Sequence, residues 1–164
     1  MGQRRKARES AVQILYQLEF DDTPARGAVD AFWKKKRAPV ETKEYARWLV
    51  EGILAERSEL DETIQSVSEH WRVARMAFVD RNILRLAAYE LLRSDSIAPA
   101  IVINEAIEIA KKFSGPEAAT FVNGVLDALR KKIETKGKPG QEVKNVRRVR
   151  QESKNKSRRR AQKD

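Results

Sequence analysis

The sequence predicts an all-α protein of about seven helices in two small helical subdomains, followed by a basic, disordered C-terminal tail. Three observations carry that prediction. Apolar residues recur at helical spacing through residues 7–135, and nothing alternates with period two for long. Glycine and proline are sparse and fall mostly between those stretches, where they act as punctuation. The chain is 41% apolar over 164 residues, enough for one modest core, yet beyond Lys136 almost no apolar side chain remains.

Ala7, Ala11, Ile14, Leu15 and Leu18 follow i, i+4, i+7, i+8, i+11 and mark a first helix that Asp21-Asp22-Thr23-Pro24 ends. Residues 28–36 read as a short helix carrying Phe32 and Trp33, broken at Ala38-Pro39. From Glu41 to Arg57, Tyr45, Trp48, Leu49, Gly52 and Ile53 share one face. Ser58 followed by Asp61 resembles a capping box and predicts the start of a fourth helix with Leu60, Ile64, Val67 and Trp71 on its apolar side. Val79, Ile83, Leu86, Ala87 and Leu91 stripe a fifth helix that closes near Ser94-Asp95. Pro99 opens a sixth, with Val102, Ala106, Ile109, Ala110 and Phe113. In Ser114-Gly115-Pro116-Glu117, Gly115 stops that helix and Pro116 starts a seventh, which carries Ala118, Val122, Val125, Leu126, Leu129 and Ile133. The domain is expected over 1–136, with residues 1–8 a basic arm. Gly137-Lys138-Pro139-Gly140 reads as a linker, and the tail 137–164 is too poor in apolar side chains to order alone. Val143, Val146 and Val149, three apart, suit a basic helix formed on a nucleic acid.

Charge is concentrated at the ends. Of the formal +10, residues 1–8 contribute +4 and residues 137–164 contribute +8, while 9–136 sum to −2. A slightly acidic body between a basic arm and a basic tail is a nucleic-acid layout. Arg4, Arg5, Lys6 and Arg8 are the candidate backbone contacts; Arg5 and Arg8 lie within a turn of each other, so their guanidinium groups can reach neighbouring phosphates. Tyr16, on the same helix, is a candidate stacking platform, or else an aromatic at the edge of the core. Phe113 and Phe121 bracket the Ser114–Glu117 turn. No apolar run approaches the ~18–20 residues of a membrane span, and the basic start has no apolar stretch behind it to serve as a signal peptide, so a cytoplasmic protein is expected. With no cysteine, thiolate metal sites and Cys nucleophiles are excluded. The one histidine, His70, reads as a surface or capping residue. Glu105 with Glu108, and Glu59 with Glu62, read as solvated helix faces. No phosphate-cradling glycine loop occurs. No enzyme, cofactor or metal is expected.

Four strings then stand out: RRKARESAVQILYQLE from Arg4, VDRNILRLAAYELL from Val79, INEAIEIAKKF from Ile103 and FVNGVLDALRKKI from Phe121. In this order, over roughly residues 3–135, they closely resemble the NusB family of bacterial transcription antitermination factors. The resemblance implies the two-subdomain helical fold and binding to the boxA element of ribosomal RNA leader transcripts as single-stranded RNA. It also implies a partner, NusE (ribosomal protein S ten), and assembly with NusA, NusG and RNA polymerase to suppress termination in rRNA operons. The arginine-rich stretch lands on Arg4, Arg5, Lys6 and Arg8, with Tyr16 following. Asp80 takes the acidic position before the NILRLAAYEL string, and Phe113, Phe121 and Asn123 match the aromatic and amide positions around the central turn. Asn104 and Glu105 are expected to be structural. Two departures are visible: Ala118 replaces a common serine, and the 28-residue segment 137–164 extends beyond where family members often end. A ribosome-assembly factor, or a generic helical RNA-binding adaptor without boxA specificity, is the alternative. The rRNA cytosine methyltransferases that share this fold need a downstream α/β domain and a Cys nucleophile, and this chain has neither.

Overall fold

Four of the five prolines mark helix beginnings. A computed structural model describes residues 2–139 as seven α-helices with no strand among them: α1 Gln3–Leu18, α2 Ala25–Trp33, α3 Val40–Ala55, α4 Arg57–Ser66, α5 Phe78–Arg93, α6 Pro99–Phe113 and α7 Pro116–Lys136. A single 3₁₀ turn, Val73–Arg75, precedes α5. Pro24 and Pro39 sit immediately before α2 and α3, while Pro99 and Pro116 are the first residues of α6 and α7. Proline lacks the N–H that the first turn would leave unpaired, and its φ is already helical. Gly115 separates α6 from α7 at φ +118°, which an L side chain rarely adopts, and its N–H bonds the Ala110 carbonyl at 2.9 Å.

The core is built around α5. Every residue from Arg81 to Leu92 is buried, and the helix packs against α1, α3, α4 and α6. The sequence expectation of one apolar stripe understates this, because Leu84, Ala88 and Leu92 lie outside that stripe and are buried too. A helix surrounded on all sides must satisfy its polar residues internally. Arg81 Nη2 donates to Glu19 at 2.8 Å, Arg85 forms a bidentate pair with Asp61 at 2.7 and 2.9 Å, and Glu90 accepts from Arg8 and Tyr45. On the other side of α5, α1, α2 and α3 pack on one another, with Ala7, Ala11, Ala46 and Val50 wholly buried. The Thr42 hydroxyl ties the start of α3 to Gln3. Among the described residues, those up to Arg130 form one compact unit, and those from Lys131 onward belong to a second.

Two local expectations are corrected. The N-cap of α4 is Glu56, with no side-chain cap because its carboxylate is taken by Arg93, and Asp61 is held by Arg85. Trp71 is 62% exposed, since α4 ends at Ser66 and the chain turns before it reaches the core. At the far end, Gly137 closes α7 at φ +76°, its N–H bonding the Ile133 carbonyl. The expected disorder of the tail and its conditional helix at Val143–Val149 fall beyond Pro139, outside the described residues.

Candidate nucleic-acid interface

Helix α1 opens with four cations and no acid in its first turn, an arrangement its own dipole disfavours. The rest of the fold supplies the acids. Arg5 makes a bidentate pair with Glu105 of α6, Nε to Oε2 at 2.7 Å and Nη2 to Oε1 at 2.8 Å. This hydrogen bond raises the guanidinium pKa and holds the Glu105 carboxyl below its ordinary range. Arg8 pairs likewise with Glu90 of α5, at 2.7 and 2.9 Å. Here the pair is almost dry, Arg8 being 4% and Glu90 0% exposed. Burial works against the Arg8 charge and the Glu90 hydrogen bonds outweigh it, so its pKa still rises. The Tyr45 hydroxyl donates to Glu90 Oε2 at 2.6 Å; burial first, and that bond second, push the phenol up to about 12.

Residues 1–8 are therefore not an arm hanging from the domain: from Gln3 onward they are the first turns of α1. Arg8 corrects the sequence expectation, because its guanidinium faces Glu90 and is withdrawn from any surface. Arg5 sits at the edge with Glu105. Arg4 and Lys6 are exposed, and the Arg4 guanidinium lies 4.3 Å from the centre of the Tyr45 ring. Tyr45 stacks on Trp48, which meets Tyr89 at a tilt, so this cation rests on the first of three contacting aromatic rings.

Further along the same helix, Tyr16 is 41% exposed and meets Phe20 edge-on at 5.4 Å. Phe20, 67% exposed, meets Phe78 of α5 in the same way. The Arg81 guanidinium lies 4.9 Å from the Phe78 ring centre, and its Nη2 is fixed by Glu19. Burial would raise the Glu19 carboxyl, but hydrogen bonds from Arg81 and Asn82 and the Arg81 and Arg85 charges lower it. Asp80 is half-buried in the first turn of α5, two residues from Phe78, and its Oδ1 is buried without a hydrogen-bond partner among the described residues. Phe113 is half-buried at the end of α6, beside Lys112, which reaches back to Glu9 of α1 at 2.9 Å. Phe121 is half-buried against Trp71, and Asn123 is exposed. The structure thus gathers Tyr16, Phe20, Phe78 and Asp80 at one end of α1. Phe121 and Asn123 belong to α7, with Trp71 beside Phe121. Phe20 was findable from sequence, four residues after Tyr16. Phe78 was not, because its partner is 58 positions away in the chain.

His70 is exposed, and no three acidic or histidine side chains among the described residues are arranged to hold a metal. Among those residues, no helix is long and apolar enough to cross a membrane.

The NusB family profile matches residues 5–131. The chain is 40% identical over 136 residues to the transcription antitermination protein NusB of Syntrophus aciditrophicus, covering 83% of this chain and 84% of that protein. It is 48% identical over 126 residues to the NusB of an Anaeromyxobacter species, covering 76% and 87%. Among solved structures, a NusB bound with NusE and double-stranded RNA superposes with a TM-score of 0.72 at 30% identity, covering 80% of this chain and 98% of that one. These relatives carry the name of a regulatory protein and not of an enzyme, in keeping with the non-enzymatic reading of the sequence. By profile, by identity along most of its length and by fold, the chain belongs to the NusB family of transcription antitermination proteins.

Proposed function

We propose that the chain binds the boxA element of ribosomal RNA leader transcripts as single-stranded RNA and, with NusE, supports antitermination of rRNA operon transcription in an assembly with NusA, NusG and RNA polymerase. The observation that carries this is the α1 surface, taken with a family relative that was solved with NusE and double-stranded RNA. Exposed Arg4 and Lys6 stand at one end of the helix and exposed Tyr16 and Phe20 at the other. Cations that track a backbone beside aromatic faces that accept unstacked bases suit a single strand, because bases stacked inside a duplex present no face to an aromatic ring.

In this reading Arg4 and Lys6 neutralise phosphates and Tyr16 stacks on a base. Arg5 stands at the edge, where phosphate would compete with Glu105. Asp80, Phe113, Phe121 and Asn123 supply the remaining base and ribose contacts. Arg8 positions α1 from within. Domain 1–136 carries the specificity and 137–164 adds general affinity. The two partners reinforce each other through one scaffold, each shifting the affinity for the other by the same factor.

The test is fluorescence anisotropy with a boxA RNA, a scrambled RNA and a boxA duplex across a salt series, with and without NusE. The expected result is a preference for single-stranded boxA that NusE widens. Equal binding of all three RNAs, unmoved by NusE, would leave a generic RNA-binding adaptor. The variant R4A/K6A should shallow the log–log salt slope by about 1.4, two phosphates at about 0.7 each.

A further inference from the structure

A groove of about 400 Å³ runs between α1 and the turn that follows α2. The α1 wall includes Lys6 and Glu9; the opposite wall includes Phe32, Trp33, Lys36 and Arg37. The last two belong to Lys34-Lys35-Lys36-Arg37, four consecutive exposed cations. Lys36 is held in place: its ammonium sits 3.8 Å from the centre of the Phe32 ring, and Phe32 is itself braced edge-on by Trp33 at 5.0 Å. Glu9, the acid on the groove wall, is paired with Lys112 at 2.9 Å, so the field in the groove is set by Lys6, Lys36 and Arg37. Trp33 is 6% exposed, and its Nε1 is buried with no hydrogen-bond acceptor among the described residues.

We propose that this groove holds the phosphate backbone of RNA flanking the segment bound along α1, with Lys36 and Arg37 as the phosphate contacts. The inference rests on the RNA-binding reading above and extends its footprint onto α2. Lys6 is common to both surfaces, so one strand can pass from the exposed face of α1 into the groove without crossing an uncompensated acid. The expected ligand is the sugar–phosphate chain and not a particular base. Lys6, Lys36 and Arg37 are the groove's cations, and the Phe32 ring is already covered by Lys36, so the charges available to phosphate dominate what the groove offers.

The experiment uses the full chain and two RNAs: a boxA-length strand and the same strand extended at both ends. Wild type, K36A/R37A and K34A/K35A are compared by anisotropy across a salt series, with thermal melts confirming that these exposed substitutions leave the fold intact. On the extended RNA, K36A/R37A should shallow the log–log slope by about 1.4 and leave the short RNA unchanged. K34A/K35A removes the same charge from outside the groove and should move the slope by less than half as much. Equal slopes for K36A/R37A and wild type on the extended RNA overturn the groove, as do equal effects of the two double variants. Poly-glutamate binding as tightly as the extended RNA, with the same loss in K36A/R37A, would assign the groove to an acidic peptide instead. If wild type shows no boxA preference yet K36A/R37A still shallows the slope, the boxA reading falls and the groove stands. If wild type binds neither RNA, both fall.

Discussion

Arg5 and Arg8 are three positions apart on one helix, yet they sit in different solvents, and that difference decides what each substitution does. The Arg8–Glu90 pair is nearly sealed, so removing one partner strands a charge in a medium that cannot solvate it. E90Q is therefore expected to cost about 3–5 kcal/mol in urea unfolding, and R8A a comparable amount. R4A/K6A, exposed at the same helix end, should stay within about 0.5 kcal/mol of wild type while weakening RNA binding. An R8A protein as stable as wild type would show that Glu90 is not what anchors α1. Tyr45 adds a pH dependence with a definite sign. Its phenol titrates near 10 when exposed and is pushed up to about 12 by burial and by the bond to Glu90. A folded pKa above the unfolded one means the contribution is complete below pH 10 and is lost as pH rises towards about 12. Y45F should cost about 1.5–3 kcal/mol below pH 10, the range for a hydrogen bond to a charged acceptor. The stability gap to wild type should then narrow through that alkaline window, as read from urea midpoints on either side of it.

Helices α3 and α5 cross at a place where a side chain is missing by necessity. A Cβ on Gly52 would collide with the hydroxyl end of Tyr89, nearest its oxygen and Cζ, and Tyr89 is 6% exposed, with little room to move. G52A should destabilise by about 1–3 kcal/mol through overpacking, despite alanine's better helix propensity. Y89L should relieve most of that cost, giving a coupling of at least about 1 kcal/mol in a double-mutant cycle. Simple additivity would mean the crossing tolerates the methyl group. Such crossings mark the limit of what was legible in the chain. All seven helices follow from apolar spacing and from proline and glycine, because those are local properties. The α2 helix begins at Ala25, three residues earlier than expected, since Pro24 sets its start and Ala25-Arg26-Gly27 carry no apolar stripe. The burial of α5 on all sides was hidden because Arg81, Asn82, Arg85 and Glu90 look like a solvated face until their partners are known. Those partners, Glu19, Asp61, Arg8 and Tyr45, lie 24 to 82 positions away in the chain. The same distance problem concealed the site: nothing near Arg5 or Arg8 in sequence announces Glu105 or Glu90. The Lys34–Arg37 run, by contrast, is plain in the sequence and was hidden only by averaging its charge into an acidic body.

The charge of the whole chain is distributed unevenly between its two ends and its body. Residues 9–136 sum to −2, against +4 in residues 1–8 and +8 in residues 137–164. Two of the four cations at the front are matched by Glu105 and Glu90 inside the fold, while the last 28 residues carry the larger share of the formal positive charge. A segment this rich in Lys and Arg attracts any phosphate backbone, and its contribution appears as counterion release. Deleting 137–164 should therefore flatten the salt dependence of RNA binding by about 0.7 in log–log slope for each phosphate the tail neutralises, and weaken binding to boxA and scrambled RNA by the same factor. The ratio between the two RNAs, set by the α1 surface and its neighbours, should not move. Anisotropy titrations of the full and shortened chains with both RNAs at several salt concentrations measure slope and ratio together. A slope that survives the deletion would place the electrostatic footprint on α1 and the groove beside α2, whereas a collapsed ratio would place sequence recognition in the tail.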